Sequence, residues 1–234
     1  MSSLQVGDLT ITLTRKNIKN LHLRVYPPDG AIKISAPRCL TDAEICAFVL
    51  AKRSWIEKQQ AKLNCQPTPA TKHYLAGEQH PFRGRWYPLE MLNPSGQTLR
   101  KPYICLTPTT IALHIDPKSN LEQRADLLQR WYRAQLKTLI PPLIAEWQPR
   151  LGVEVRQWRI KRMKTRWGTC NIAARRIWLN LELIKYGDRA LEYVVVHEMI
   201  HLLERGHNAR FYGLLDQFLP DWRSGEQLLK RAIV

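Results

Sequence analysis

His197-Glu198-Met199-Ile200-His201 is entered through Val194-Val195-Val196, left through Leu202-Leu203 and followed by Gly206-His207. Its apolar flanks predict a buried helix. Two imidazoles and a carboxylate inside such a helix need partners, because burying an unpaired polar or charged group is costly. A divalent cation supplies them. On an α-helix a residue and its i+4 neighbour lie about 40° apart on one face, one turn up, so His197 and His201 can point at one ion. Glu198 is rotated by about 100° from His197, off the ligand axis and within reach of a water beside that ion. His207 would lie about 80° round the other way and roughly 15 Å along an unbroken helix. To join the pair, the chain must stop after His201 and fold back, and Gly206 is the residue expected to allow this by adopting φ > 0. Three histidine ligands and one open position is the arrangement of catalytic zinc, whereas structural zinc is closed by four protein ligands. Glu226, on the last expected helix, is the alternative third ligand.

Around this motif stand Lys164-Thr165-Arg166-Trp167-Gly168-Thr169-Cys170, Ile177-Trp178-Leu179-Asn180, Tyr193-Val194-Val195-Val196-His197-Glu198 and Gly206-His207-Asn208-Ala209-Arg210-Phe211-Tyr212. Together they resemble the YgjP-like family of metal-dependent hydrolases, itself similar to the SprT-like and WLM zincin peptidases. The resemblance covers about residues 120 to 225 well, and the N-terminal strands and Trp55-Ile56 more loosely. It implies His197, His201 and His207 as metal ligands and Glu198 as the catalytic base. Tyr212 departs from the tryptophan usual there. The histidine spacing also equals that of metzincins, but Glu204 stands where those carry glycine, and no methionine follows His207.

Composition bounds the remainder. A chain of 234 residues can form one large core or two modest domains. Cys39, Cys46, Cys65, Cys105 and Cys170 form an odd set without a C-x-x-C pair, which predicts a reducing, cytoplasmic setting and no disulfide framework. No apolar run approaches a membrane span. The net charge is +16, and its distribution is uneven. Residues 155–181 hold eight Lys or Arg and no acidic residue, with Trp158, Trp167 and Trp178 interleaved. Basic and aromatic residues together are the footprint of a surface that meets phosphates and stacks bases. Arg159, Lys161, Arg162 and Lys164 are the candidate phosphate or nucleic-acid contacts.

Periodicity predicts an α+β chain in two parts. Leu9–Leu13, Leu21–Tyr26 and Ala31–Ile34 alternate with period two, as half-buried strands do, and Pro27-Pro28-Asp29-Gly30 makes a turn. Thr41 with Glu44 reads as a capping box opening one helix to about Leu63, with Ile45, Phe48, Val49, Trp55 and Ile56 on its buried face. Pro67–Ala70 reads as a loop. Strands return over 74–116, giving a strand-rich N-terminal part over residues 1–117. The second part, 118–234, is predicted as a minimal zincin domain. Its long helix starts near Leu121, is kinked or restarted at Pro141-Pro142 and closes at Gly152. Strands follow over 153–167 and 176–181. Then come the motif helix, which Asp188 is expected to cap, and terminal helices over 208–218 and 221–232.

Such a site predicts a zinc-dependent hydrolase. Three neutral imidazoles leave a zinc-held water whose pKa falls toward about 7, and Glu198 is placed to take its proton. Arg166, Arg210 and Tyr212 are candidates for transition-state or substrate contacts. Glu192, Asn180 and Asp216 are candidates to satisfy the outer histidine nitrogens. Three functions follow. First is a metallopeptidase whose peptide or protein substrate pairs with an edge strand near Arg166-Trp167. Second is a nucleoside-triphosphate pyrophosphohydrolase gripping phosphates through the basic strands. Third is a nucleic-acid-binding module with a structural zinc, which Glu198 argues against, since a structural site has no use for a general base.

Overall fold

The structure, a computed structural model, describes residues 2–26, 29–65, 72–93 and 101–230. Pro27-Pro28 and the loop expected at Pro67–Ala70 lie outside the described residues. The chain forms two compact units, Met1–Thr71 and Lys72–Ile233. In the first, strands β1 (Ser2–Val6), β2 (Leu9–Lys16), β3 (His22–Tyr26) and β4 (Ala31–Pro37) make a sheet of order β1-β2-β4-β3. Residues alternate across it. Ile11, Leu13, Ile32 and Ile34 face the core, where Ile45, Val49 and Ile56 meet them. The capping box at Thr41 and Glu44 opens α1 (Asp42–Ala51) as expected. The single helix expected to Leu63 is instead two. Lys52 leaves helical geometry at φ −101° and ψ 6°, and α2 (Arg53–Cys65) restarts. Trp55, expected inside, is 43% exposed, and Ile56 takes the buried position.

The second unit begins with β5 (Gln79–Phe82), β6 (Arg85–Leu92), β7 (Tyr103–Leu106) and β8 (Ile111–His114), in sheet order β5-β6-β8-β7. These strands were expected to belong with the N-terminal part, with a boundary near residue 117. Their buried residues Leu89, Ile111 and Leu113 instead share one core with Leu128, Leu136 and Ile140, so the division falls at Thr71–Lys72. The latter three residues belong to α3 (Leu121–Leu151), which Asn120 opens with a second capping box to Gln123 and Gly152 closes in the left-handed conformation at φ 65°. The helix runs unbroken through Pro141 and Pro142. Its buried stripe continues on both sides of them, through Leu136, Ile140, Ile144 and Trp147, and this packing outweighs the donor each proline removes.

Three strands follow where two were expected: β9 (Gln157–Lys161), β10 (Gly168–Asn171) and β11 (Arg176–Asn180), in order β10-β11-β9. Residues 162–167 between β9 and β10 are not strand. A 3₁₀ turn at Leu181–Lys185 leads to α4 (Asp188–Ile200), α5 (Ala209–Phe218) and α6 (Trp222–Lys230). Asp188 does not cap α4. Gly187 is the N-cap, without a side-chain bond, and Asp188 pairs with Arg83 at 2.5 Å. The fold is α+β, and no helix of the described residues is long and apolar enough to cross a membrane.

Candidate metal centre

Helix α4 carries the site. Val195, Val196, Met199 and Ile200 are at most 0% exposed and anchor its buried side, while His197 and His201 emerge one turn apart where the helix ends. His201 is the C-cap, its N–H still donating to the carbonyl of His197. Beyond it the chain tightens, with the N–H groups of Leu202 and Leu203 donating to the carbonyls of Met199 and Ile200 at 3.0 and 2.8 Å. The reversal does not use Gly206 in a left-handed conformation, which among the described glycines occurs at 7, 30, 77, 84 and 152. Instead Glu204 accepts from the Gly206 N–H at 3.2 Å, and Asn208 caps α5 by accepting from the Phe211 N–H at 3.0 Å. His207 is thereby brought back beside the first two histidines.

One potential ligand atom from each of His197, His201 and His207 lies within 4.8 Å of the others. The Nε2 atoms of His197 and His207 face each other at 3.0 Å. Phe211, fully buried, backs all three rings at centroid distances of 4.9, 4.8 and 4.8 Å. His201 Nδ1 lies 3.1 Å from the Glu204 carbonyl; donating there, it frees Nε2 for the centre. Burial first, then His201 and His207, press the His197 pKa down to about 3, so its imidazole is neutral at ordinary pH. His197 Nδ1 and Glu198 Oε2 are both buried without a hydrogen-bond partner. Three imidazoles converging beside an unsatisfied carboxylate fit a divalent cation, the borderline-soft zinc ion among them.

Glu198 is 5% exposed. Burial pushes its carboxyl up to about 8, with Arg166 opposing. Its position depends on a glycine of another element, because a Cβ on Gly168 would stand 2.5 Å from Glu198 Oε1 and 2.6 Å from its Cγ. The start of β10 is thus pressed against the carboxylate. A cavity of about 990 Å³ opens here, lined by the three histidines, Glu198, Tyr193 and residues 166–170. The Cys170 thiol, pushed up to about 11 by burial and then by Glu198, lines it in neutral form.

The expected contact residues separate on inspection. Arg166 lines the cavity. Arg210 turns to Glu204 at 3.7 Å, and Tyr212 stacks on Trp222 at 5.8 Å; neither lines it. Glu226 pairs with Lys230 and is outside the histidine cluster. None of Glu192, Asn180 and Asp216 reaches a histidine. Glu192 accepts from Trp147, Asn180 ties down the backbone at Met163 and Arg166, and Asp216 accepts from Trp222 and Arg223. Arg159, Lys161, Arg162 and Lys164 do not line the cavity. Trp158 packs against the core and Trp178 is covered by Lys161 and Arg176 at 5.2 and 5.6 Å, whereas Trp167 packs against the core and also lines the cavity. Gly168, Tyr193, Phe211 and Arg205 belong to the site although sequence pattern assigns none of them a role there; Gly168, Tyr193 and Phe211 stand within the family-like motifs.

A family model described as YgjP-like, metallopeptidase domain, matches residues 19–232. No curated protein matches the chain.

Proposed function

The chain belongs to the YgjP-like metallopeptidase family, whose members are metal-dependent hydrolases, and from that premise we propose a zinc peptidase with Glu198 as general base. His197, His201 and His207 hold the ion. The observation that carries this reading is the convergence of three imidazoles within 4.8 Å beside the unpartnered Oε2 of Glu198. When bound, zinc supplies Lewis acidity that polarises the scissile carbonyl and acidifies water. Glu198 Oε2 accepts the proton of the attacking water and delivers it to the leaving amine. Arg166, whose charge already acts on Glu198, offers donors to the oxygen that becomes negative. Strand β10 is an edge of its sheet and lines the cavity through Gly168 and Thr169; an extended peptide pairs with it by backbone hydrogen bonds. Trp167 and Tyr193 line the same cavity and offer apolar surface to the side chains of that peptide.

One observation supports the phosphoanhydride reading. Arg166 and Arg205 both line the cavity, and neither forms an ion pair among the described residues. Metal-quantified protein and its Glu198→Gln twin, assayed side by side on an unfolded protein and on nucleoside triphosphates, separate the two. Peptide cleavage lost in the twin is expected. Pyrophosphate release lost in the twin, with no cleavage in either, would replace the peptidase reading.

A further inference from the structure

The outer face of the β1–β4 sheet is unlike an ordinary solvated surface. Its core side packs on Ile45, Val49 and Ile56, and its other side is open. Register places Thr12, Lys33 and Arg24 in one row across β2, β4 and β3, and Thr14, Ser35 and His22 in the next. Arg24 therefore stands directly opposite Lys33, a like-charge pair that destabilises an antiparallel ladder. No carboxylate on the face relieves it. The unit has five carboxylates, and each is engaged elsewhere. Asp8 and Glu57 pair with Arg53, Asp42 with Arg15, Glu44 closes the capping box, and Asp29 accepts from the Ala31 N–H. Arg24 and Lys33 form no ion pair among the described residues, and Lys33 leans on the Tyr26 ring at 5.0 Å. A shallow concavity of about 200 Å³ lies here, lined by Lys16, Ile18, His22, Arg24, Tyr26, Lys33 and Ser35.

All of those lining side chains except Ile18 can donate a hydrogen bond, and none is a carboxylate. A surface rich in donors, with a pair of cations that no carboxylate neutralises, is complementary to phosphate oxygens. We infer that this face binds single-stranded nucleic acid along its phosphate backbone. An open sheet accommodates one extended strand, whereas duplex recognition calls for an element that enters a groove. The two cations then take a shared polyanion as the partner that the fold denies them. The residues of this face belong to the first unit, whereas the basic stretch of residues 155–181 and the three histidines belong to the second.

The test uses the full chain and fluorescein-labelled oligo-dT, with anisotropy followed as salt is raised. Binding at low salt is expected, with affinity falling steeply as salt increases. Arg24→Glu/Lys33→Glu should weaken it by about tenfold or more and flatten the salt slope by about 1.4, as two phosphate contacts require. Arg159→Glu/Lys161→Glu changes net charge equally and should leave most of the affinity. Arg24→Glu alone converts the like-charge pair into an opposite-charge one, so its melting temperature should rise while its affinity falls. A merely structural pair of residues would not separate those two readouts. Three results overturn the inference: no binding at low salt, equal losses from the two double reversals, or tighter binding to poly-glutamate at the same ionic strength.

Discussion

Glu198 shows how much one side chain's surroundings decide. Its carboxyl is buried, unpartnered at Oε2 and pushed up to about 8 by that burial. Glu198→Gln keeps the shape and removes the base. Metal content and far-UV dichroism should be unchanged while turnover falls by at least about 10²-fold; normal turnover in this variant would end the assignment. Gly168 is the second decisive residue, for the opposite reason. A methyl group there has no room, since it would meet Glu198 Oε1 at 2.5 Å. Gly168→Ala should therefore keep the metal but misplace the base, lowering turnover by about 10²-fold, the scale of a 1 Å displacement at a reacting centre. The two residues also mark what a sequence can disclose. The role of Glu198 follows from its place one residue after His197 on a helix, which periodicity alone conveys. The role of Gly168 depends on a carboxylate arriving from an element thirty positions later, and local pattern carries no trace of that.

At the scale of elements, the turn between α4 and α5 makes the site. Helical spacing was enough to pair His197 with His201 and to require a reversal before His207. It was not enough to say how the reversal is made, because Gly206 looked like the hinge and the Glu204 and Asn208 side chains do the capping instead. The same limit recurs along the chain. Capping residues at Thr41 were legible because they act within four residues. The break at Lys52 carries no such local signal, and the unbroken passage through Pro141-Pro142 follows a buried stripe that continues on both sides of the prolines. Asn208→Ala removes the cap of the helix that carries Phe211, which backs all three imidazoles. It should destabilise the protein by about 1 kcal/mol and weaken metal retention, both readable in one denaturation series with and without zinc. His207→Ala should release the metal, whereas Glu226→Ala, which removes only a partner of Lys230, should not. Metal loss from the Glu226 variant alone would reassign the third ligand.

For the whole molecule, the metal centre should write itself into the pH dependence of stability. In the metal-free protein Glu198 titrates at about 8, against 4.5 in the ordinary range, so the folded chain keeps a proton that the unfolded chain has lost. Wherever the folded state holds more protons, stability falls as pH rises. Histidines act the other way. His197 and His80 are lowered to about 3 and about 4, chiefly by burial, so the unfolded chain takes up their protons first and stability falls as pH drops below 6.5. The two slopes oppose each other up to pH 6.5. Between 6.5 and 8 the unfolded histidines shed their remaining protons and their slope fades, while that of Glu198 persists. Chelator-treated protein should therefore lose a net of about 1 kcal/mol of unfolding free energy across that window, the Glu198 proton acting at up to roughly 1.4 kcal/mol per pH unit and the histidines returning part of it. Glu198→Gln should show no such slope. A bound cation favours the carboxylate over the acid, so zinc-loaded wild-type protein should also flatten it, releasing the Glu198 proton on binding. Urea midpoints at pH 6.5 and 8, for chelated protein, loaded protein and the glutamine variant, check all three. An identical slope in the chelated wild type and the variant would show that the carboxyl is already ionised in the folded chain, and that the base stands ready before the metal arrives.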